Sequence, residues 1–193
     1  MKKLIALLLA LVMVASMMVA CGKTEKTNET TKPNIVVTED ALTVFNNIWA
    51  AYPEADKFPC YGGDAENMTN GEPGVYSDME SLNAQLLVPE DQFDNITEVV
   101  SLFHGMMLNN FTCAVYKMAE GADAEAFTAT METALKDNQW MCGCPDQMVI
   151  AVIDDGAYVL VGYGLSEVMS KLSTAMNAAY PYAEMKSTGS VVQ

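Results

Sequence analysis

Arginine is absent from the 193 residues, histidine occurs once, and ten basic residues face twenty-five acids. Without a guanidinium there is no planar fork for bidentate capture of phosphate or carboxylate. The formal net charge of −15 repels polyanions, so nucleic-acid binding is excluded. A lone His104 cannot supply an imidazole cluster for zinc. No Ser or Cys stands beside it in sequence to complete a nucleophilic arrangement. The acidity reads first as a solvated surface, with steering of cations or basic partners as the alternative.

Apolar residues, by contrast, are concentrated at the start. Lys2 and Lys3 precede seventeen residues from Leu4 to Ala20 that are interrupted only by Ser16, and Cys21-Gly22 follows. Such a run could almost span a bilayer, but the basic flank and the small residue before a cleavage point favour a processed signal over a permanent anchor. Met18-Val19-Ala20-Cys21 resembles the lipobox of a bacterial lipoprotein signal peptide. The resemblance implies a signal peptide over residues 1–20, and a mature chain that begins at Cys21. The resemblance further implies that the Cys21 thiol receives diacylglycerol before cleavage and that the protein sits on the outer face of the cell membrane. From Cys21 onward eight lysines face twenty-five acids, a net charge of −17.

The next stretch, residues 21–34, is polar, rich in Thr and Lys, and closed by Pro33. It reads as a flexible tether. Residues 35–185 carry enough apolar side chains for one domain, and residues 186–193 read as a frayed, disordered tail. Within the domain, Thr38 is the expected cap of a helix bearing Leu42, Phe45, Ile48, Trp49 and Tyr52 at helical spacing, stopped by Pro53. After a Gly- and Asn-rich region, a short helical pattern runs from Asp78 to Leu87 with Ser77 as its cap. Glu98–Met107 and Phe111–Met118 read as paired strands followed by a helix near Asp123–Asp137. Met148–Ile153 and Ala157–Gly164, joined through Asp154-Asp155-Gly156, repeat the plan, with a helix from Ser166. The expectation is an α+β fold: a four-stranded, largely antiparallel sheet, strand-strand-helix twice over, both helices on one face, plus an N-terminal helix. Because MVIAVI and YVLV do not alternate, both faces of the sheet need cover. The first helix and the region before Leu87 are the expected cover for the second face, with a partner protein as the alternative.

The lipobox, the tether, the TCAVYKMAEGADAEAFTATMETAL stretch and the VIDDGAYVLVGYG hairpin before a terminal amphipathic helix together resemble a family of small lipoproteins of Gram-positive, Clostridia-like bacteria with no assigned function. That resemblance implies fold and location rather than chemistry. Four further cysteines depart from the family's pattern.

Those four, Cys60, Cys113, Cys142 and Cys144, make an even set in an exported chain and read as two structural disulfides. Three pairings are open, with long-range pairing of the Cys142-Gly143-Cys144 loop to Cys60 and Cys113 favoured over a strained direct bridge. One intervening residue and no following helix disfavour thioredoxin-like chemistry. Soft-metal binding is the sharper competitor, since Met141, Cys142, Cys144 and Met148 place sulfur close together in sequence, as Cu(I) prefers. Most of the eleven methionines after Cys21 nevertheless fall on apolar faces, where Met fills core gaps. The loop from Gly62 to Asn67 is oxygen-rich but lacks EF-hand spacing for Ca²⁺. The sum is a lipid-anchored, non-catalytic binding or interaction module with no cofactor, whose partners are the membrane, through lipid on Cys21, and an envelope protein or small ligand. The alternative is a thiol-redox or copper-binding lipoprotein using the Cys142-Gly143-Cys144 loop. Radiolabelled fatty acid is expected to enter the chain and Cys21→Ala to abolish the label; a labelled, membrane-bound Cys21→Ala protein after alkaline extraction would mean that the apolar run is an uncleaved helix.

Overall fold

The computed structural model describes residues 39–141 and 143–191. The signal, the lipidation candidate Cys21, the tether, the expected cap Thr38 and the candidate Cys142 lie outside them. Helix α1 (Ala41–Ala51) is capped by Asp40, whose Oδ1 accepts from the Thr43 backbone N–H at 2.7 Å. Its buried residues Ala41, Val44, Phe45, Ile48 and Trp49 follow the i, i+3, i+4 rhythm of one apolar stripe. Short strands β1 (Cys60–Gly62), β2 (Thr69–Asn70) and β3 (Gly74–Val75) follow, then the short helix α2 (Leu82–Leu86). Next come the long strands β4 (Ile96–His104) and β5 (Phe111–Met118), helix α3 (Ala124–Asp137), strands β6 (Gln147–Ile153) and β7 (Tyr158–Gly164), helix α4 (Ser166–Ala179) and strand β8 (Glu184–Ser187).

The expectation of four strands is corrected. One sheet of eight strands runs β2-β1-β4-β5-β7-β6-β8, with β3 also paired to β4, and every pairing is antiparallel. Two-residue β2 and β3 leave no periodicity to read. The stretch from Lys186, expected to fray, instead joins the sheet: Ser187 pairs with Ile150, Ser190 bridges Gln147, and Val191 is buried.

The two helices that close the repeats lie on opposite faces, which corrects the second expectation. β5 and β6 are both antiparallel to the intervening β7, hence parallel to each other, and α3 connects them. β7 and β8 flank β6 in the same way, connected by α4. Both crossovers step in the same direction across the sheet but start from strands that run oppositely. The right-handed rule for such connections then requires α3 and α4 on opposite sides. One core holds α1 and α4 against Val100, Leu102, Phe111, Cys113, Val115, Val149, Ala151 and Leu160; the other holds α2 and α3 against Val99, Phe103, Tyr116, Ile150, Val152, Val159 and Val161. The chain itself therefore covers both faces of a three-layer domain. Gly162 lets α4 approach, since a Cβ there would meet Leu172 Cδ2 at 2.8 Å.

Leu172 on α4 and Leu135 on α3 are fully buried on their respective faces. Leu172→Ala and Leu135→Ala should each cost about 2 to 5 kcal/mol, transfer plus cavity. Denaturant midpoints are the readout; an unchanged midpoint in either variant would mean that its helix face is not packed as described.

Candidate functional site

The strands place two unlike ends of the sheet about 20 Å apart, the length of a six-residue strand step from Lys117 to Phe111. The chain enters the domain at the first. There Ala41 N donates to Glu98 Oε2 at 2.8 Å, Glu98 Oε1 pairs with Lys117 Nζ at 2.7 Å, and the Tyr158 hydroxyl donates to the Glu39 carbonyl. A cleft of about 350 Å³ between Asp40, Leu42, Tyr76, Ser77, Met79 and Glu98 opens beside it. Its two carboxylates are already paired, Asp40 with Thr43 and Glu98 with Lys117, so it lacks the convergent uncommitted polar groups of a ligand pocket.

At the opposite, far end the turn after β4, the loop before β6 and the end of β7 meet. His104 Nδ1 accepts from the Met106 and Met107 backbone N–H groups at 3.1 and 3.4 Å. In the neutral ring its proton is therefore on Nε2. The imidazole stacks on Phe58 at 5.1 Å, and Phe58 packs in turn on Phe111 and Trp49. Burial lowers the His104 pKa, which suits an acceptor role for Nδ1. Asn109 Nδ2 donates to the Met141 and Gly143 carbonyls at 3.0 and 2.5 Å, and Leu165 N donates to the Asn110 carbonyl at 3.0 Å. This end carries most of the exposed large apolar side chains among the described residues: Met106 and Met141 at 80 %, with Met107, Leu108 and Leu165 at 40 to 44 %. Trp140, next to Met141, packs on Tyr163 at 5.1 Å, and its indole Nε1–H is buried with no hydrogen-bond partner. Leaving such a donor unmet costs about 1 to 3 kcal/mol.

Among the described residues, Cys60, Cys113 and Cys144 carry no disulfide in this structure. Cys60 pairs with His104 and Cys113 with Leu102, on strands that flank β4. Two strand spacings separate them by about 9.5 Å, beyond the roughly 7 Å that a bridge tolerates between Cα atoms. Cys113 faces Gly162 and α4 in the core, where burial pushes its thiol far up; burial also raises Cys60, with Lys57 opposing. Raised thiols are poor nucleophiles, so the cross-strand pairing of Cys60 with His104, which sequence spacing does not reveal, forms no activated dyad. Cys144 alone of the three is exposed. No helix begins at its loop, which leads into β6.

The oxygen-rich loop is a clamp rather than a cation site. Asp64 Oδ1 accepts from Glu66 N, Asn67 N and Asn67 Nδ2, and Oδ2 accepts from Ser77 N, Ser77 Oγ and Asp78 N, all within 2.5 to 3.1 Å. Six donors occupy the roughly four acceptor directions of a carboxylate. Burial alone would raise this carboxyl, but the bonds from Ser77, Asp78 and Asn67 together hold it well below the usual range. The Asp-x-x-Asn spacing was the available signal for this turn. Among the described residues no three of His, Cys, Asp and Glu gather as a metal-holding group, and no helix is long and apolar enough to cross a membrane.

No known protein family, curated protein or solved structure matches the chain. The site is accordingly defined by its own geometry: a rigid three-layer domain with an aromatic base under sulfur-rich, exposed loops at one end. A thiol reagent applied to the native protein should modify Cys144 quickly, Cys60 far more slowly and Cys113 only after unfolding. A non-reducing digest that yields a cross-linked peptide containing any of these three would restore the disulfide reading.

Proposed function

We propose that this chain is a lipid-anchored protein of the outer face of a bacterial membrane, held by lipid on Cys21, whose domain is a non-catalytic binding module. The lipobox and the tether support the anchor. The observation that carries the binding role is the gathering of Met106, Met107, Leu108, Met141 and Leu165 at the end opposite the one where the chain enters at Glu39 and Ala41. Exposed apolar groups gathered in one place mark interaction sites. The alternative of thiol-redox chemistry lacks a helix N-terminus at Cys144.

Hydrogen exchange tests the reading. The chain isolated gently from native membranes is compared with the same protein after unfolding and refolding, which strips a bound ligand of any class. Residues 105–110 and 138–146 should exchange more slowly in the native isolate. Identical exchange in the two samples, or protection confined to other segments, would contradict a far-end binding role.

A further inference from the structure

We infer that the ligand of the far end is a soft monovalent metal ion, Cu(I) in chemical class, held by the thioether sulfurs of Met106, Met107 and Met141 and the thiolate of Cys144. The inference rests on the binding role proposed above and adds the identity of what is bound. Methionine elsewhere in the domain does what a core needs: Met131, Met148, Met169 and Met176 are fully buried and Met118 nearly so. At the far end that explanation fails, because Met106 and Met141 are 80 % exposed and forgo the roughly 1.5 to 3 kcal/mol that burying such a side chain gains. Met68 is the other strongly exposed methionine, and it sits by itself before β2.

The sulfur-bearing loops are also held together. Asn109 ties the turn that carries Met106 and Met107 to the Met141 and Gly143 carbonyls. The Met107 methyl lies 4.0 Å from the position of a Cβ on Gly143, which adopts φ +112° beside Cys144. Two harder groups described near this apex are engaged elsewhere. His104 Nδ1 is committed to the turn, and Asp146 Oδ2 accepts from Ser166 N. A thiol with three thioethers selects a soft ion over Zn²⁺, Ca²⁺ or Mg²⁺. The acidic net charge of the whole chain favours the approach of any cation. On binding, the Cys144 S–H bond gives its proton to solvent, a metal–sulfur bond forms, and copper enters and stays as Cu(I), so no electron is transferred. One thiolate then neutralises one monovalent ion.

The test uses the full lipidated chain in detergent, reduced and anaerobic, titrated with Cu(I) against a chromophoric Cu(I) chelator and followed in parallel by intrinsic tryptophan fluorescence. One equivalent should be retained, with a sulfur-only shell by X-ray absorption. Affinity should fall by at least about tenfold in Met106→Leu, Met141→Leu and Cys144→Ser, the scale on which metal-site residues act. Leucine keeps the apolar bulk, and these exposed positions leave the fold intact, which a thermal melt verifies. Retention of copper unchanged in the methionine variants, or no retention above that of the Cys144→Ser protein, overturns the inference. Far-end protection in the native isolate without copper would sink the metal assignment alone; absence of both protection and copper would sink the binding role with it.

Discussion

Everything in this domain depends on a sheet whose central strands are apolar on both sides. In β5, Phe111, Cys113 and Val115 point one way and Ala114 and Tyr116 the other; in β6, Val149 and Ala151 oppose Met148, Ile150 and Val152. Neither face tolerates water. Two helix layers are thus required, and the chain delivers them through two crossovers that begin on antiparallel neighbours. The same constraint explains the glycine at 162, where a side chain would hold α4 away from the sheet. It also explains why α1 returns over β4 and β5 beside α4 instead of standing apart.

Much of this was legible in the sequence, and the limits have physical causes. Continuous apolar runs marked β4 to β7, and 3.6-residue rhythms marked α1, α3 and α4, so that Val100, Leu102, Val115, Phe127, Met131, Leu135, Ile150, Val152, Leu160, Leu172 and Met176 are all buried. Periodicity shows that a helix is amphipathic but not which face of the sheet it meets. The separation of Leu135 from Leu172 by the sheet follows from connection handedness and strand order, neither of which is a local signal. The short strands β1, β2, β3 and β8 are two to four residues long and owe their extension to pairing with their neighbours. Caps were displaced: Asp40 serves α1, and α4 receives the Asp146 carboxylate at Ser166 N from a distant loop.

The far end was half legible. The Cys142-Gly143-Cys144 loop and its neighbour Met141 stood out by composition, but the contribution of Met106 and Met107 depends on Asn109 bridging to residues more than thirty positions away. Counting cysteines pointed to disulfides because an even set in an exported chain usually pairs. Strand order excludes only a direct bridge between Cys60 and Cys113, since β4 lies between them. The margins of the domain are held by polar contacts: the Asp64 clamp, the Trp49 indole on the Gly71 carbonyl, and Lys171 shared by Asp56 and Glu167.

The two tryptophans report on opposite layers, Trp49 in the core under α1 and α4, Trp140 against the core under α2 and α3. Urea unfolding of Trp49→Phe and Trp140→Phe, followed by fluorescence and by far-ultraviolet circular dichroism, therefore tests directly whether one sheet unites both layers. The account predicts that in each variant the fluorescence and dichroism transitions coincide, as for a single cooperative unit. A fluorescence transition that precedes the loss of secondary structure in either variant would show a layer detaching on its own and would contradict it.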